Sequence, residues 1–166
     1  VRTRHAERSA RRAREFEAFV AGAGGRLLHA ATLLTAEAPD DNPRARRLVT
    51  LALAHTYACW DRLRGEDPYD RTRQYLAIRF AHGLWHHGAL GRTRPRATGP
   101  LAGLTPRERL ILVLRLYEGV AEEQVAALLG LPTERVRSLC DRATATLLRP
   151  PRKRPAAAVG AKAAAS

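Results

Sequence analysis

The chain has 166 residues and a formal net charge of +13, from 29 Lys and Arg against 16 Asp and Glu. Its isoelectric point, near 11.3, points to a polyanionic partner, nucleic acid above all. The length admits one domain or two small ones, no apolar run reaches the roughly 18 residues of a membrane span, and no phosphate loop, nucleophile elbow or apolar carboxylate pair speaks for an enzyme.

Nearly all the positive charge is arginine, since Lys153 and Lys162 are the only lysines. Arginine suits planar, bidentate recognition of phosphate and guanine. Heavy use of Arg, Ala and Gly also fits a GC-rich genome, which accounts for part of the charge without any function. Cys59 and Cys140 sit far apart in apolar helical patterns and read as reduced core residues of a cytoplasmic protein. The N-terminus is basic with no apolar segment behind it, so no signal peptide is expected. Strand signals are almost absent, and the expected class is all-α, with no cofactor and no metal.

Residues 1–13 form a basic arm, with Arg2, Arg4, Arg8, Arg11 and Arg12 followed by Arg14. The arm is suited to DNA phosphates; the alternative is a frayed, solvated helix start. A first helical unit is expected over 14–88. Phe16, Phe19 and Val20 begin its first helix, and Gly22 to Gly25 are expected to break it. Leu27, Leu28, Ala31 and Leu34 mark a second helix, ending near Ala36. Residues 37–43 (EAPDDNP) read as a loop, with Asp40 and Asp41 as turn residues. A long helix from about Arg44 to Leu63 carries Leu48, Val49, Ala52, Leu53, Thr56, Cys59 and Trp60. A further helix runs from about Tyr69 to His87, with Tyr75, Leu76, Ile78, Phe80 and Trp85. Residues 89–103 hold three glycines, two prolines and three arginines, and read as a flexible linker.

The second unit is expected over 104–149. Thr105 and Glu108 form a capping box around Pro106. Leu110, Leu114 and Tyr117 then repeat along one helical face, and Gly119 ends the helix. Val125, Ala126, Leu128 and Leu129 turn a second helix inward. Gly130-Leu131-Pro132 is a tight turn, and a third helix begins at about Pro132. Val136, Leu139, Cys140, Ala143 and Leu147 share one side of it at 3.6-residue spacing. Glu134, Arg135, Ser138, Asp141, Arg142 and Ala145 fall largely on the other. A helix held by an apolar stripe with Arg and Ser outward suits a DNA major groove. The alternative is an ordinary three-helix packing unit with a solvated face. Residues 150–166 (PPRKRP, then an Ala-rich run) read as a disordered basic tail.

From about Phe16 to Leu148 the pattern resembles a bacterial sigma factor of the extracytoplasmic-function type, in its short SigE-like actinobacterial branch. Leu48-Val49 and Tyr57 to Trp60 match the long helix of sigma region two. Val136-Arg137-Ser138 and Arg142-Ala143 match the recognition-helix signature of region four. The resemblance implies two small helical domains, no chemistry, and two main partners, promoter DNA and RNA polymerase core. An anti-sigma protein is a further partner class it admits. Region two binds the polymerase clamp and opens the promoter near the start site. Region four binds the polymerase flap and reads the more distant element. The implied polymerase-binding residues are Arg46, Arg47, Val49, Thr50 and Leu53. The implied promoter-melting residues are Trp60, Arg62, Tyr69, Arg71 and Arg73. The candidate DNA-binding residues are Thr133, Glu134, Arg135, Arg137, Ser138 and Arg142.

The chain departs from the family at several of these positions. Arg46 and Arg47 stand where the family carries acidic residues, and Thr50 replaces a glutamine. Arg71 replaces an aromatic, and Glu134-Arg135 replace Gly-Thr. These changes mark a divergent member and lead us to expect weakened core binding. Two other readings stay open. One is a sigma-derived regulator that binds DNA without acting as a sigma factor. The other is a LuxR-type regulator, whose helix-turn-helix also opens on Thr-Pro-Arg-Glu but which leaves the first unit unexplained. A zinc site built from His55, Cys59, His82 and His86, with His87 nearby, is the weaker metal alternative.

Overall fold

The described residues form six α-helices and no strand: α1 (Arg2–Thr35), α2 (Pro43–Cys59), α3 (Pro68–Gly88), α4 (Pro106–Leu112), α5 (Glu122–Leu129) and α6 (Thr133–Leu148). A 3-10 turn (Trp60–Arg62) extends α2, and a π turn (Val113–Tyr117) extends α4. The computed structural model describes residues 2–63, 65–88 and 97–149, with side chains for 4–63, 65–83 and 97–149. The expected all-α class holds. Among the described residues no helix is long and apolar enough to cross a membrane.

Helix α1 corrects one expectation. It runs unbroken through Gly22 to Gly25. A mid-helix glycine costs about 1 kcal/mol relative to alanine. Packing on both sides of the glycines offsets that cost. Upstream, the Phe16 ring lies 4.8 Å from Tyr57 and 5.2 Å from Trp60, between centroids. Downstream, Leu27, Ala30, Ala31 and Leu34 are buried, and Thr32 Oγ1 accepts from Asn42 Nδ2 at 3.0 Å. The stretch of α1 around Phe16 therefore meets the end of α2, and the end of α1 meets the start of α2. The two antiparallel helices hold each other straight.

The α1–α2 connection supplies a cap the sequence pattern did not reveal. Helix α2 has no acidic residue in its first turn. The Glu37 carboxylate accepts the N–H groups of Arg44 (3.1 Å) and Ala45 (2.9 Å), which have no intrahelical partner. Helix α3 lies against α2 through a buried Thr56–Thr72 hydroxyl pair, 2.8 Å apart, and buries Leu76, Ala77, Phe80 and Ala81.

The two expected units meet over one continuous hydrophobic cluster, from Leu27 to Ala143. Residues 89–96 of the expected linker lie outside the described residues. Its remainder, 97–103, rests on the end of α1. Ala36 has φ 53°, and its carbonyl accepts the N–H groups of Thr98 and Gly99, both at 2.9 Å. A Cβ on Gly99 would lie 2.4 Å from the Glu37 carbonyl oxygen, so backbone approach there requires glycine. Leu101 and Leu104 are buried beside it. The buried Arg109 guanidinium donates to the carbonyls of Leu34 (2.9 Å) and Leu104 (2.7 Å). It thereby satisfies a last-turn carbonyl of α1 from the second unit.

Candidate nucleic-acid interface

Helices α4 to α6 form the expected helix-turn-helix unit. The capping box is complete. Glu108 N–H donates to Thr105 Oγ1, and Thr105 N–H donates to Glu108 Oε2 at 2.9 Å. After α4 the π turn inserts one residue into the helical register. Leu110 and Leu114 stay buried, but Tyr117, expected on the same face, is 37% exposed. The extra residue rotates Tyr117 out toward α1, where its ring lies 5.2 Å from His29. Gly119 has φ 67° and Gly130 has φ 62°, so both turns use the left-handed region that glycine tolerates. Gly130 ends α5, and α6 starts immediately after Pro132.

Val136, Leu139 and Ala143 bury one stripe of α6, against a core that includes Val125, Ala126 and Ile111, while Cys140 is half-buried and Leu147, expected on the same side, is exposed in the last turn. Glu134, Arg135, Arg137, Ser138, Asp141 and Arg142 are exposed, and Thr133 is half-buried. The outward arginines are not alike. Arg142 Nε donates to Glu108 Oε1 at 2.8 Å, tying α6 to the capping box of α4. Hydrogen bonds from the Thr105 hydroxyl, and then from its backbone N–H and Arg142, hold the Glu108 carboxyl below its usual range. Arg137 Nη2 sits 2.8 Å from Glu122 Oε1, an ion pair without hydrogen-bond alignment. Glu122 also approaches Arg115 of the π turn at 3.8 Å. The Arg135 side chain makes no hydrogen bond or ion pair with the described residues. It is the arginine of α6 left open to a ligand.

The residues expected to bind polymerase lie on α2 but do not share one face. Arg46, Arg47 and Thr50 are exposed and Leu53 is half-buried. Val49 is 7% exposed and turns into the core, so its side chain is not offered to a partner. Arg46 is oriented by Asn42, whose Oδ1 accepts from its Nε at 2.9 Å.

Four of the five expected promoter-melting residues separate into two places, and Arg71 belongs to neither. Trp60 packs edge-on against Phe16 and tilted on Phe19 at the α1–α2 end, with Arg62 exposed beside it. Tyr69 and Arg73 instead turn to Glu118 of the second unit. The Tyr69 hydroxyl donates to Glu118, 2.9 and 3.0 Å from its two carboxylate oxygens. Arg26 and Arg73 approach the same carboxylate at 3.3 and 3.8 Å. Burial, and then Glu118, push the Tyr69 phenol well above its ordinary value. Arg71 is exposed and only 4.0 Å from Glu66. Glu118 was missed at the sequence level. No local pattern marks a carboxylate whose partners lie 45 residues away or more.

The zinc alternative gains nothing from the geometry. His55 stacks on Tyr75 with centroids 3.9 Å apart, and the side chains of His86 and His87 lie outside the described residues. Among the described residues no group of three or more His, Cys, Asp or Glu is placed to hold a metal.

Residues 101–147 match the family model of sigma-70, region 4. The match begins at buried Leu101 and ends within the last turn of α6. Comparison with curated proteins and with solved structures gives no significant match. This part of the chain is a sigma-factor-like DNA-binding region with a helix-turn-helix.

Proposed function

We propose that the protein is a sigma-factor-like transcription initiation protein that directs RNA polymerase core to promoters, as a divergent member of the extracytoplasmic-function type with weakened core binding. The observation that carries this reading is α6. Its apolar stripe is buried, its outward face holds Arg135 and Ser138 open, and it lies in the segment that matches sigma-70 region 4. Docking such a helix in a major groove places its N-terminal residues at base edges. The net charge of +13 adds a phosphate-dominated component. The first unit is the polymerase-binding and promoter-opening part of this reading, with Arg46, Arg47 and Thr50 on the exposed side of α2.

A second reading keeps the DNA binding and drops the sigma activity. It is favoured by the two exposed arginines at the start of α2, where the resembled family carries acidic residues. Co-elution with polymerase core separates the two: the initiation reading expects a complex at low salt, and its absence leaves a free-standing DNA-binding regulator. Both readings expect binding to duplex DNA that weakens steeply with salt. Affinity insensitive to salt would remove them together.

A further inference from the structure

The first three turns of α1 take part in neither the helical core nor the recognition helix. Residues 4–11 are all exposed, and the first contacts with the body come at Arg12. Arg12 lies over the Tyr57 ring at 4.7 Å and donates to Asp61 at 3.2 Å. Over residues 4–11 the helix stands free of the body, about 12 Å long at 1.5 Å per residue. A short helix alone is marginal in water, because nucleation is unfavourable. This one propagates from a packed helix and needs no nucleus of its own.

The free segment is two-faced in charge rather than in apolarity. Arg4, Arg8 and Arg11 follow at helical spacings of four and three, which puts them along one stripe. Ala6, Ala10 and Ala13 line the opposite side, with the exposed Arg14 at its edge, four residues after Ala10. Glu7 is the one carboxylate among residues 2–14. Arg11 is also held by Glu15 at 2.7 Å, an exposed pair that a phosphate can replace at little cost.

We infer that this projecting stripe is a second DNA contact, binding the backbone phosphates of a duplex without reading sequence. Arginine forks fit phosphate oxygens bidentately. The side opposite the arginines carries alanines and no large apolar residue, which a helix lying in a lipid surface requires. The contact is independent of α6. It supplies affinity and salt sensitivity, and α6 supplies discrimination between sequences.

The test uses the full chain and the variant R4Q/R8Q/R11Q, whose changed side chains are all exposed. The probe is a duplex of arbitrary sequence, titrated from about 50 to 200 mM salt, with circular dichroism as the check on folding. Each phosphate contact contributes about 0.9 to the slope of log K against log salt. Three lost contacts should flatten the slope by about 2 to 3 and leave the helix content near wild type. An unchanged slope overturns the inference, and so does a wild-type chain with no measurable duplex affinity. A parallel titration uses vesicles of mixed phosphatidylserine and phosphatidylcholine. Vesicle binding lost in the variant, with the DNA slope intact, assigns the stripe to a lipid surface and also overturns it.

Discussion

The Tyr69 hydroxyl and the Glu118 carboxylate, 49 residues apart, meet at 2.9 Å across the junction of the two helical units. The Glu118 side chain is 1% exposed, and Arg26 and Arg73 share it. A hydrogen bond to a buried charged group contributes about 1.5–3 kcal/mol, and leaving the charge underbonded forfeits that amount. Tyr69→Phe should therefore lower stability by about 1.5–3 kcal/mol in urea denaturation. Wild type should unfold in one cooperative transition, because one hydrophobic cluster spans both units. A two-step transition in wild type would show that the units fold independently.

The same pair makes stability sensitive to alkali. The folded-state pKa of Tyr69 is raised from 10.0. Its contribution is fully present below 10.0 and is lost as pH rises through the higher folded value. Glu108 acts in the opposite direction, since its folded pKa is lowered from 4.5. Its contribution is present above 4.5 and is lost as pH falls through the folded value. Tyr69→Phe should flatten the alkaline limb of the stability profile, and Glu108→Gln the acid limb. A variant with its limb unchanged would mean that other groups set that limb.

Within α6 the arginines should divide by role. Arg135→Ala should leave the melting temperature near wild type and cost roughly 1–3 kcal/mol of binding at one base position. Arg142→Ala removes the bond to Glu108 at 2.8 Å. It should lower stability and affect all DNA sequences about equally. The measurement is binding to a panel of single-base variants of the best site, beside thermal melts. Relaxed specificity in Arg142→Ala with unchanged stability would reverse the assignment.

Gly99 should resist replacement. A Cβ there meets the Glu37 carbonyl at 2.4 Å, which is backbone and cannot step aside. Gly99→Ala should cost about 1–3 kcal/mol, the range for forced overpacking. A neutral result would show that the 97–103 segment does not rest on α1 in solution.

Charge at the start of α2 should govern polymerase affinity. Arg46, Arg47 and Thr50 are exposed, so Arg46→Glu, Arg47→Asp and Thr50→Gln together should be tolerated by the fold. Core affinity at one salt concentration should rise in the triple variant, because a desolvated charge pair at an interface is worth about 2–5 kcal/mol. Tight wild-type binding with no gain in the variant would refute the charge-reversal argument.

Local patterns determined the elements that depend on local physics. The Thr105–Glu108 box, the glycine turns at 119 and 130 and the buried stripe of α6 follow from capping chemistry, left-handed backbone and 3.6-residue spacing. Each is satisfied within a few residues of chain, so sequence alone places it. Three features belong to tertiary structure. The glycines of α1 stay helical because α2 anchors both sides of them. Tyr117 turns outward because a π turn shifts the register by one residue. Glu118 and Arg109 are buried because groups far away in the chain satisfy them: Tyr69, Arg26 and Arg73 for the carboxylate, the Leu34 carbonyl for the guanidinium. Partners separated by dozens of residues leave no periodic trace. Which arginines of α6 remain open was decided in the same way, by where Glu108 and Glu122 come to lie once the helices pack.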